Sequence, residues 1–258
     1  MSSAASATPP TPKPCTWQQL PEEIRKTVGL FRRGVADAVI DLSPYTTDAL
    51  VSELLRLNVP LVMCGQPNPN TARCCCLAYV YSDDVAGGRL AGTHFQEIGA
   101  TRIDALLGPE NNPANTERLA GLIEIIGTPK YIGYGGWDEK TGYLLVQKAT
   151  ENASIDGIFC GNYRIVRGAI RYLQQQGRDV PGDIKVIGYD DHPPAANFDP
   201  PITTIQQDFC KQGAVAVRQA IKMINGERGK NRAHTQTSST RLRRRENPRS
   251  SPLRQDNY

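Results

Sequence analysis

The sequence predicts an α/β protein with parallel sheets that carry helices on both faces. Stretches with helical apolar spacing alternate with short apolar runs, and glycines or prolines separate many of them. The apolar runs have the length of buried strands. Because parallel strands are joined by crossovers of a dozen or more residues, usually helices, this alternation indicates parallel pairing.

The first predicted helix follows residue 21. Ile24, Val28 and Phe31 recur at spacings of four and three, and Gly34 favours the end of this helix. The strands predicted up to residue 107 are 38–42, 59–63, 79–81 and 102–107. The other helices predicted in this half are 50–57 and 83–98.

The alternation continues to residue 189. The predicted strands are 130–134, 155–160 and 183–189, and the predicted helices are 138–149 and 163–176. Four prolines between residues 193 and 201 then interrupt the pattern, and a last helix is predicted over 208–225. The polar, threonine-containing stretch 234–245 leaves two alternatives open, a final edge strand or a disordered segment.

Composition excludes several classes of protein. The apolar runs are far shorter than the ~20 residues that cross a bilayer, so no membrane association is expected. Residues 1–20 lack the basic start and apolar centre of a secretory signal, and we expect a disordered leader and a cytoplasmic protein.

The net charge of +4 is unevenly distributed along the 258 residues. Residues 228–258 hold nine basic and two acidic residues, a balance of +7, whereas the preceding 227 residues have a balance of −3. The basic character therefore belongs to the tail, and the body of the protein is mildly acidic.

Signatures of catalysis and of metal binding are absent from the sequence. The seven cysteines lack the paired spacing of a disulfide framework or zinc site, and we expect reduced thiols in the core. The histidines, His94, His192 and His234, are too scattered to indicate a metal cluster. No nucleophile elbow, phosphate loop or zinc helix occurs, so we expect neither an enzyme nor a bound cofactor.

Asp190 and Asp191 stand at the carboxyl end of the predicted strand 183–189, which is where open α/β sheets bind ligands. A carboxylate there can accept hydrogen bonds from two neighbouring hydroxyls of a polyol. The alternative is that the carboxylate only caps the following turn.

Several segments resemble the lactose and galactose repressor (LacI/GalR) family of transcriptional regulators. The likeness runs from about residue 21 to residue 247. Its segments, in order, are GVADAVIDLSP (34–44), SDDVAGGRLAGTHFQEIGATRI (82–103), GPENNPANTERLAG (108–121), VPGDIKVIGYDD (180–191), DPPITTIQQD (199–208) and TRLRRREN (240–247). The fourth and fifth are the most specific, because residue order, spacing and type all agree with the family.

The resemblance implies two lobes of the periplasmic-binding-protein type around a small effector, commonly a sugar or nucleobase. The first lobe would comprise 21–108 and 207–230, and the second 109–206 and 231–247, followed by a tail at 248–258. It also implies a homodimer.

Four effector-binding residues are implied where the motifs match. Arg118 takes the place of an arginine that binds effector oxygens, and Asp190 that of an acidic ligand for hydroxyls or ring nitrogens. Trp137 matches an aromatic that stacks on the effector ring, although it could instead fill a hinge. Asn162 matches the asparagine of an Asn-Asp pair, although it could instead complete a turn.

The sequence departs from the family pattern in three ways. Tyr163 stands where an aspartate follows Asn162, and Asp84 stands where asparagine is usual. The family's helix-turn-helix headpiece, which reads operator DNA, and its opening strand–helix–strand are not evident in residues 1–20, so we expect an incomplete first lobe.

The leading hypothesis is therefore the effector-sensing core of a LacI-type regulator, which binds operator DNA only through a headpiece. A second is the solute-binding protein of a sugar transporter, which would require export. A third is direct nucleic-acid binding through Arg241 and Arg243–Arg245, for which nearby aromatic residues are lacking.

Overall fold

A computed structural model describes residues 21–43, 48–67, 76–151, 154–227, 233–238 and 240–245. The strands are β1 (Val39–Asp41), β2 (Leu61–Cys64), β3 (Leu77–Ser82), β4 (Ile103–Leu107), β5 (Ile132–Tyr134), β6 (Gly157–Cys160), β7 (Lys185–Asp190), β8 (Thr203–Gln206), β9 (Ala233–Ser238) and β10 (Arg241–Arg243). The α-helices are α1 (Glu22–Arg32), α2 (Asp48–Arg56), α3 (Asp84–Glu97), α4 (Pro113–Ile126), α5 (Glu139–Glu151), α6 (Tyr163–Gln175) and α7 (Phe209–Ile224). A short 3₁₀ helix covers Pro193–Asn197.

The first sheet has the strand order β1-β2-β3-β9 in the described part of the chain, and its pairs are parallel. Side chains that alternate along a strand face opposite sides of the sheet. Leu61 and Leu77 accordingly pack with α1 and α2, whereas Val62 and Val80 pack with α7.

The second sheet has the order β10-β8-β7-β6-β4-β5, parallel except for the antiparallel pair of β10 and β8. Helices again cover both faces. Leu106 and Ile158 pack with α5 and α6, whereas Phe159 and Tyr189 belong to the core beneath α3 and α4. The chain crosses between the sheets after Ser82, after Gln206 and between 238 and 240.

The predicted α/β architecture with two-sided parallel sheets is confirmed. The sheet membership of two segments corrects the lobe boundaries expected from the sequence. Strand 103–107, expected in the first lobe, pairs with β5 and β6 in the second sheet. Within 231–247, expected in the second lobe, β9 pairs with β3 in the first sheet. A crossover directly after Ser82 accounts for the first difference, because the chain then stays with the second sheet from α3 to β8.

Two elements were missed in the sequence, α4 and β8. Asn112 caps α4 by accepting a hydrogen bond from the backbone N–H of Ala114, Pro113 occupies its first turn, and Gly127 ends it with a positive φ of 79°. The stretch 234–245, left open between strand and disorder, contains β10 and all of β9 except its first residue. The expected leader, the expected tail and the segment expected to be missing before residue 21 lie outside the described residues.

Cys64, Cys160 and Cys210 are free thiols, but not all of the described cysteines lie in the core, where the sequence predicted them. Cys76 and Cys160 are buried, Cys64 is half-buried and Cys210 is exposed. Burial raises the pKa of the Cys160 thiol, which therefore stays protonated at neutral pH.

Candidate functional site

A cavity of about 560 Å³ lies between the two sheets, where the carboxyl ends of strands from both sheets meet. This is the position at which open α/β sheets bind ligands, and the volume is typical of small-molecule sites. Arg118, Trp137, Asn162 and Asp190, which the sequence singled out, all line this cavity. The structure thus brings together four residues that are spread over 73 positions of the chain.

Arg118 lies at the bottom of the cavity and is only 6% exposed. Its Nε donates to Asp84 Oδ1 at 2.9 Å, and its Nη1 donates to the Gly161 carbonyl at 2.6 Å. Its guanidinium carbon lies 3.8 Å from the centroid of the Tyr189 ring. Nη2 points toward Asp190 Oδ1, 3.7 Å away. The guanidinium is therefore fixed in one orientation by contacts on three sides.

Two glycines set the position of α4, and hence of Arg118. A Cβ on Gly88 of α3 would lie 2.1 Å from the Arg118 carbonyl oxygen, and one on Gly121 of α4 would lie 2.0 Å from the Val85 carbonyl oxygen. Both contacts would be with backbone oxygen atoms, which cannot rotate away as a side chain can. The helices approach this closely only because both positions lack a side chain.

Arg118 stays charged despite its burial. Burial lowers the pKa of a guanidinium, but the negative charges of Asp84 and Asp190 outweigh that effect, and the pKa of Arg118 rises above its ordinary value. The cavity therefore contains a permanent cation that is already paired with carboxylates.

Asp190 ends β7 in an uncommon backbone conformation. Its φ is +85° and that of Asp191 is +52°, both in the left-handed region. Its Oδ1 accepts a hydrogen bond from Gln207 Nε2 at 2.7 Å. Burial raises the pKa of Asp190 above its ordinary range, although the charge of Arg118 and the hydrogen bond from Gln207 counteract part of the rise. A ligand that donates to this carboxylate would compensate for its lost hydration.

Asp191 turns away from Asp190 toward the end of the chain. Its Oδ1 lies 2.8 Å from Arg245 Nη2, and the Asp191 side chain is 8% exposed. Arg245 also donates from Nη1 to the Ile202 carbonyl, and from its backbone N–H to Thr203 Oγ1. The residues after β10 therefore brace the turn that aims Asp190 into the cavity.

Trp137 forms one wall, packed flat against Gly108. A Cβ at Gly108 would lie 2.5 Å from three carbons of the indole. The indole Nε1 is buried without a hydrogen-bond partner among the described residues. A buried N–H usually finds a partner, so this donor is an exception among the described residues.

Asn162 is buried, and its polar atoms serve the fold. Its Oδ1 accepts from the backbone N–H of Ile165 at 2.8 Å and so caps α6. Its Nδ2 donates to the Trp137 carbonyl at 3.3 Å. In this arrangement Asn162 ties the tryptophan wall to α6.

The sequence singled out neither Gln66 nor Gln207, and it noted Asp84 only as a departure from the family. Gln66 follows β2 and donates from Nε2 to the Ser82 carbonyl at 2.8 Å and to Asp84 Oδ2 at 3.0 Å. Gln207 follows β8. Both glutamines lie just beyond strand ends, which is the signal that would have found them.

Tyr163, the second departure from the family pattern, stacks on His192. Their ring centroids are 4.5 Å apart and the rings are inclined by 10°, and both line the cavity. Where the family pattern has a carboxylate, this cavity has an aromatic surface.

Several unsatisfied polar atoms belong to residues of the cavity wall. Asp41 Oδ2, Gln66 Oε1, Ser82 Oγ and Trp137 Nε1 are buried without a hydrogen-bond partner among the described residues, and all four residues line the cavity. Three of these residues precede α3 and lie on the first-sheet side. A polar ligand would therefore find partners on both sides of the cavity.

The described residues include no group of three or more His, Cys, Asp and Glu side chains placed to hold a metal ion. Among the same residues, no helix has the length and apolar character needed to span a membrane.

Comparison with known proteins identifies a family. Residues 93–246 match the model of the periplasmic binding protein-like domain. The HTH-type transcriptional regulator CelR of Thermobifida fusca is 31% identical over 200 residues, which are 74% of this chain and 58% of CelR. The HTH-type transcriptional repressor PurR of Haemophilus influenzae is 27% identical over 219 residues, 81% of this chain and 63% of PurR. The chain thus spans about three fifths of these relatives.

Solved structures of transcriptional regulators superpose on this chain. A CelR–cellobiose complex superposes with a TM-score of 0.79 at 29% identity, covering 87% of this chain and 70% of that chain. A LacI family regulator from Enterococcus faecium with bound ribose gives a TM-score of 0.72 at 25% identity, covering 86% and 82%.

Proposed function

Because the chain belongs to the periplasmic binding protein-like family, as the effector-binding core of a LacI/GalR-type regulator, we propose that it binds a small polyhydroxylated effector and thereby controls transcription. The observation that carries this proposal is the convergence of Arg118, Asp190 and Trp137 on one cavity of about 560 Å³. Cellobiose and ribose in the two related structures support a saccharide.

The chemistry of the cavity suits a sugar. Asp190 accepts hydrogen bonds from hydroxyls, and Arg118 Nη2 donates to sugar oxygens. The Trp137 ring offers an apolar surface to the C–H face of the sugar, and its unpaired Nε1 offers a donor. Asn162 contributes by holding this wall in place.

The output is a shift between arrangements of the two lobes. A ligand changes such an equilibrium only if it binds one arrangement better than the other. An effector that contacts Ser82 and Asp41 on one side and Arg118 on the other binds best when the lobes enclose it. We propose that this shift alters operator-DNA binding through a helix-turn-helix headpiece, and that two copies pair.

Binding rather than catalysis fits the relatives, which are transcriptional regulators. The same relatives favour a regulator over a solute-binding protein of a transporter, and a regulator of chromosomal genes would act in the cytoplasm. Direct nucleic-acid binding by the final arginines is disfavoured, because Arg243 donates to Gln206, Arg244 pairs with Glu97 and Arg245 pairs with Asp191.

Tryptophan fluorescence tests the proposal. The chain has two tryptophans, Trp17 and Trp137, and Trp137 lines the cavity. Titration with cellobiose, ribose and other pentoses, hexoses and nucleosides should change the emission of the wild type. Trp137→Phe should abolish the response and Trp17→Phe should preserve it. A response that disappears with Trp17 instead would refute the site.

A further inference from the structure

We propose that Asp84 sets the charge of the accepted effector, so that the cavity takes uncharged polyhydroxylated compounds and rejects their phosphorylated forms. The proposal rests on the proposed function of the cavity and names the class of ligand that the same cavity selects.

Both carboxylate oxygens of Asp84 accept hydrogen bonds from other residues of the site. Its side chain is 5% exposed, Oδ1 accepts from Arg118 Nε at 2.9 Å, and Oδ2 accepts from Gln66 Nε2 at 3.0 Å. Gln66 follows a strand of the first sheet and Arg118 lies on α4 against the second. Asp84 therefore links the two walls of the cavity.

The contacts of Arg118 leave only part of its donor capacity for an anion. Nε is taken by Asp84, one N–H of Nη1 by the Gly161 carbonyl, and one face of the guanidinium by Tyr189. Nη2 faces Asp190 at 3.7 Å. Two carboxylates thus surround one buried cation, and the core of the site has an excess of negative charge.

Other charged groups around the cavity do not reverse this balance. Asp41 adds a third carboxylate on the first-sheet side, with Oδ2 buried and unpaired among the described residues. Arg164, the other arginine of the lining, is exposed to solvent, where screening weakens its effect. A phosphate group beside Arg118 would meet uncompensated carboxylates, whereas a hydroxyl could donate to Asp190 and accept from Nη2.

Asp84→Asn tests the charge with little change of shape. Asparagine Oδ1 can still accept from Arg118 Nε, and Gln66 Nε2 keeps its hydrogen bond to the Ser82 carbonyl while it loses its acceptor on residue 84. The matched control is Asp83→Asn, which removes the same charge one residue away. Asp83 does not line the cavity, and asparagine also caps helices well, so α3 keeps its cap.

The measurement is calorimetric titration with pairs of compounds that differ by one phosphate, glucose with glucose 6-phosphate and ribose with ribose 5-phosphate, together with inorganic phosphate. The wild type should bind the neutral member of a pair at least about tenfold more tightly than the charged one. Asp84→Asn should narrow or invert this preference by about tenfold or more, and Asp83→Asn should not change it.

Three results would overturn the proposal. These are equal binding of both members of a pair by the wild type, an unchanged preference in a folded Asp84→Asn variant, and an equal change in Asp83→Asn. If Asp84→Asn fails to fold, Asp84→Ser, which keeps an acceptor of smaller size, carries the same expectation. Failure of the proposed function looks different, because no sugar of any charge would then bind and Trp137→Phe would have no effect.

Discussion

Arg245 and Asp191, 54 positions apart in the sequence, form an ion pair of 2.8 Å that braces the turn beneath the cavity. The preceding residue, Asp190, has φ of +85° and Asp191 has φ of +52°. Two consecutive non-glycine residues in the left-handed region persist only where the surroundings hold them. The ion pair with Arg245 provides one such restraint, and so links the end of the second sheet to the cavity.

Replacing Arg245 with methionine should therefore weaken both stability and binding. The change leaves the Asp191 carboxylate, 8% exposed, without its charged partner. We expect the free energy of unfolding to fall by about 2 kcal/mol, with a loss of saccharide affinity as the Asp190 turn relaxes. Urea denaturation and calorimetry measure the two effects. Arg243→Met is the control. Because Arg243 is exposed, this substitution should lower the free energy of unfolding by less than about 0.5 kcal/mol. Equal losses in both variants would contradict the bracing role.

Replacing Asp190 with asparagine should raise stability at neutral pH while weakening effector binding. The pKa of Asp190 is raised in the folded protein, chiefly by burial. A carboxyl with a raised pKa favours folding below its unfolded pKa, and this contribution is lost as the pH rises through the folded pKa. Ionised Asp190 is thus a cost at neutral pH that asparagine, which tolerates positive φ, avoids.

Thermal unfolding across pH 4 to 8 measures this effect. The melting temperature of Asp190→Asn should exceed that of the wild type near pH 7, and the difference should shrink as acid protonates Asp190 in the native wild type. A variant that is less stable at pH 7 would show that contacts of the carboxylate with Arg118 and Gln207 outweigh its burial.

Replacing Gly121 with alanine should separate α3 from α4. The new Cβ would lie 2.0 Å from the Val85 carbonyl oxygen, a backbone atom that cannot rotate away. We expect a loss of about 3 kcal/mol and weaker saccharide binding, because Arg118 moves with α4. Gly213→Ala in α7 is the matched control. Its Cβ meets nothing within 4 Å, so higher helix propensity should stabilise the protein by about 0.5 to 1 kcal/mol. In denaturation experiments, Gly121→Ala should lower the free energy of unfolding and Gly213→Ala should raise it.

Replacing Gly108 with alanine should displace the aromatic wall. The new Cβ would lie 2.5 Å from the Trp137 indole, which must move into the cavity. We expect affinity for the saccharide with the strongest fluorescence response to fall by about tenfold, together with a shift in the unliganded emission of Trp137. Unchanged emission and affinity would mean that the indole tolerates the methyl group and that its packing does not set the site.

Much of the fold follows from local patterns in the sequence. The apolar spacing of Ile24, Val28 and Phe31 forms the buried side of α1, and Val28 is fully buried. Helix α4 was missed because its apolar residues do not form a clear stripe, and Arg118 occupies a buried position that apolar spacing assigns to an aliphatic residue. The second-sheet membership of β4 also escaped, since strand residues have the same pattern in either sheet.

Part of the candidate site could also be predicted from the sequence. Strand ends and the family resemblance indicated Arg118, Trp137, Asn162 and Asp190, and all four line the cavity. Gln66 escaped notice because its partner, Asp84, lies 18 positions away and across the cavity. No local pattern records a contact of that kind.

By itself, the sequence determined the alternation of strands and helices, the two-sided burial of the sheets and the residue types available at strand ends. These properties follow from spacing along the chain, because side-chain direction repeats every 2 or 3.6 residues. Only the tertiary structure decided that Asp84 pairs with Arg118, that Arg245 braces Asp191, and that the resulting cavity holds more carboxylates than buried cations. Charge balance depends on distance in space, and crossings between the sheets bring distant segments to one place.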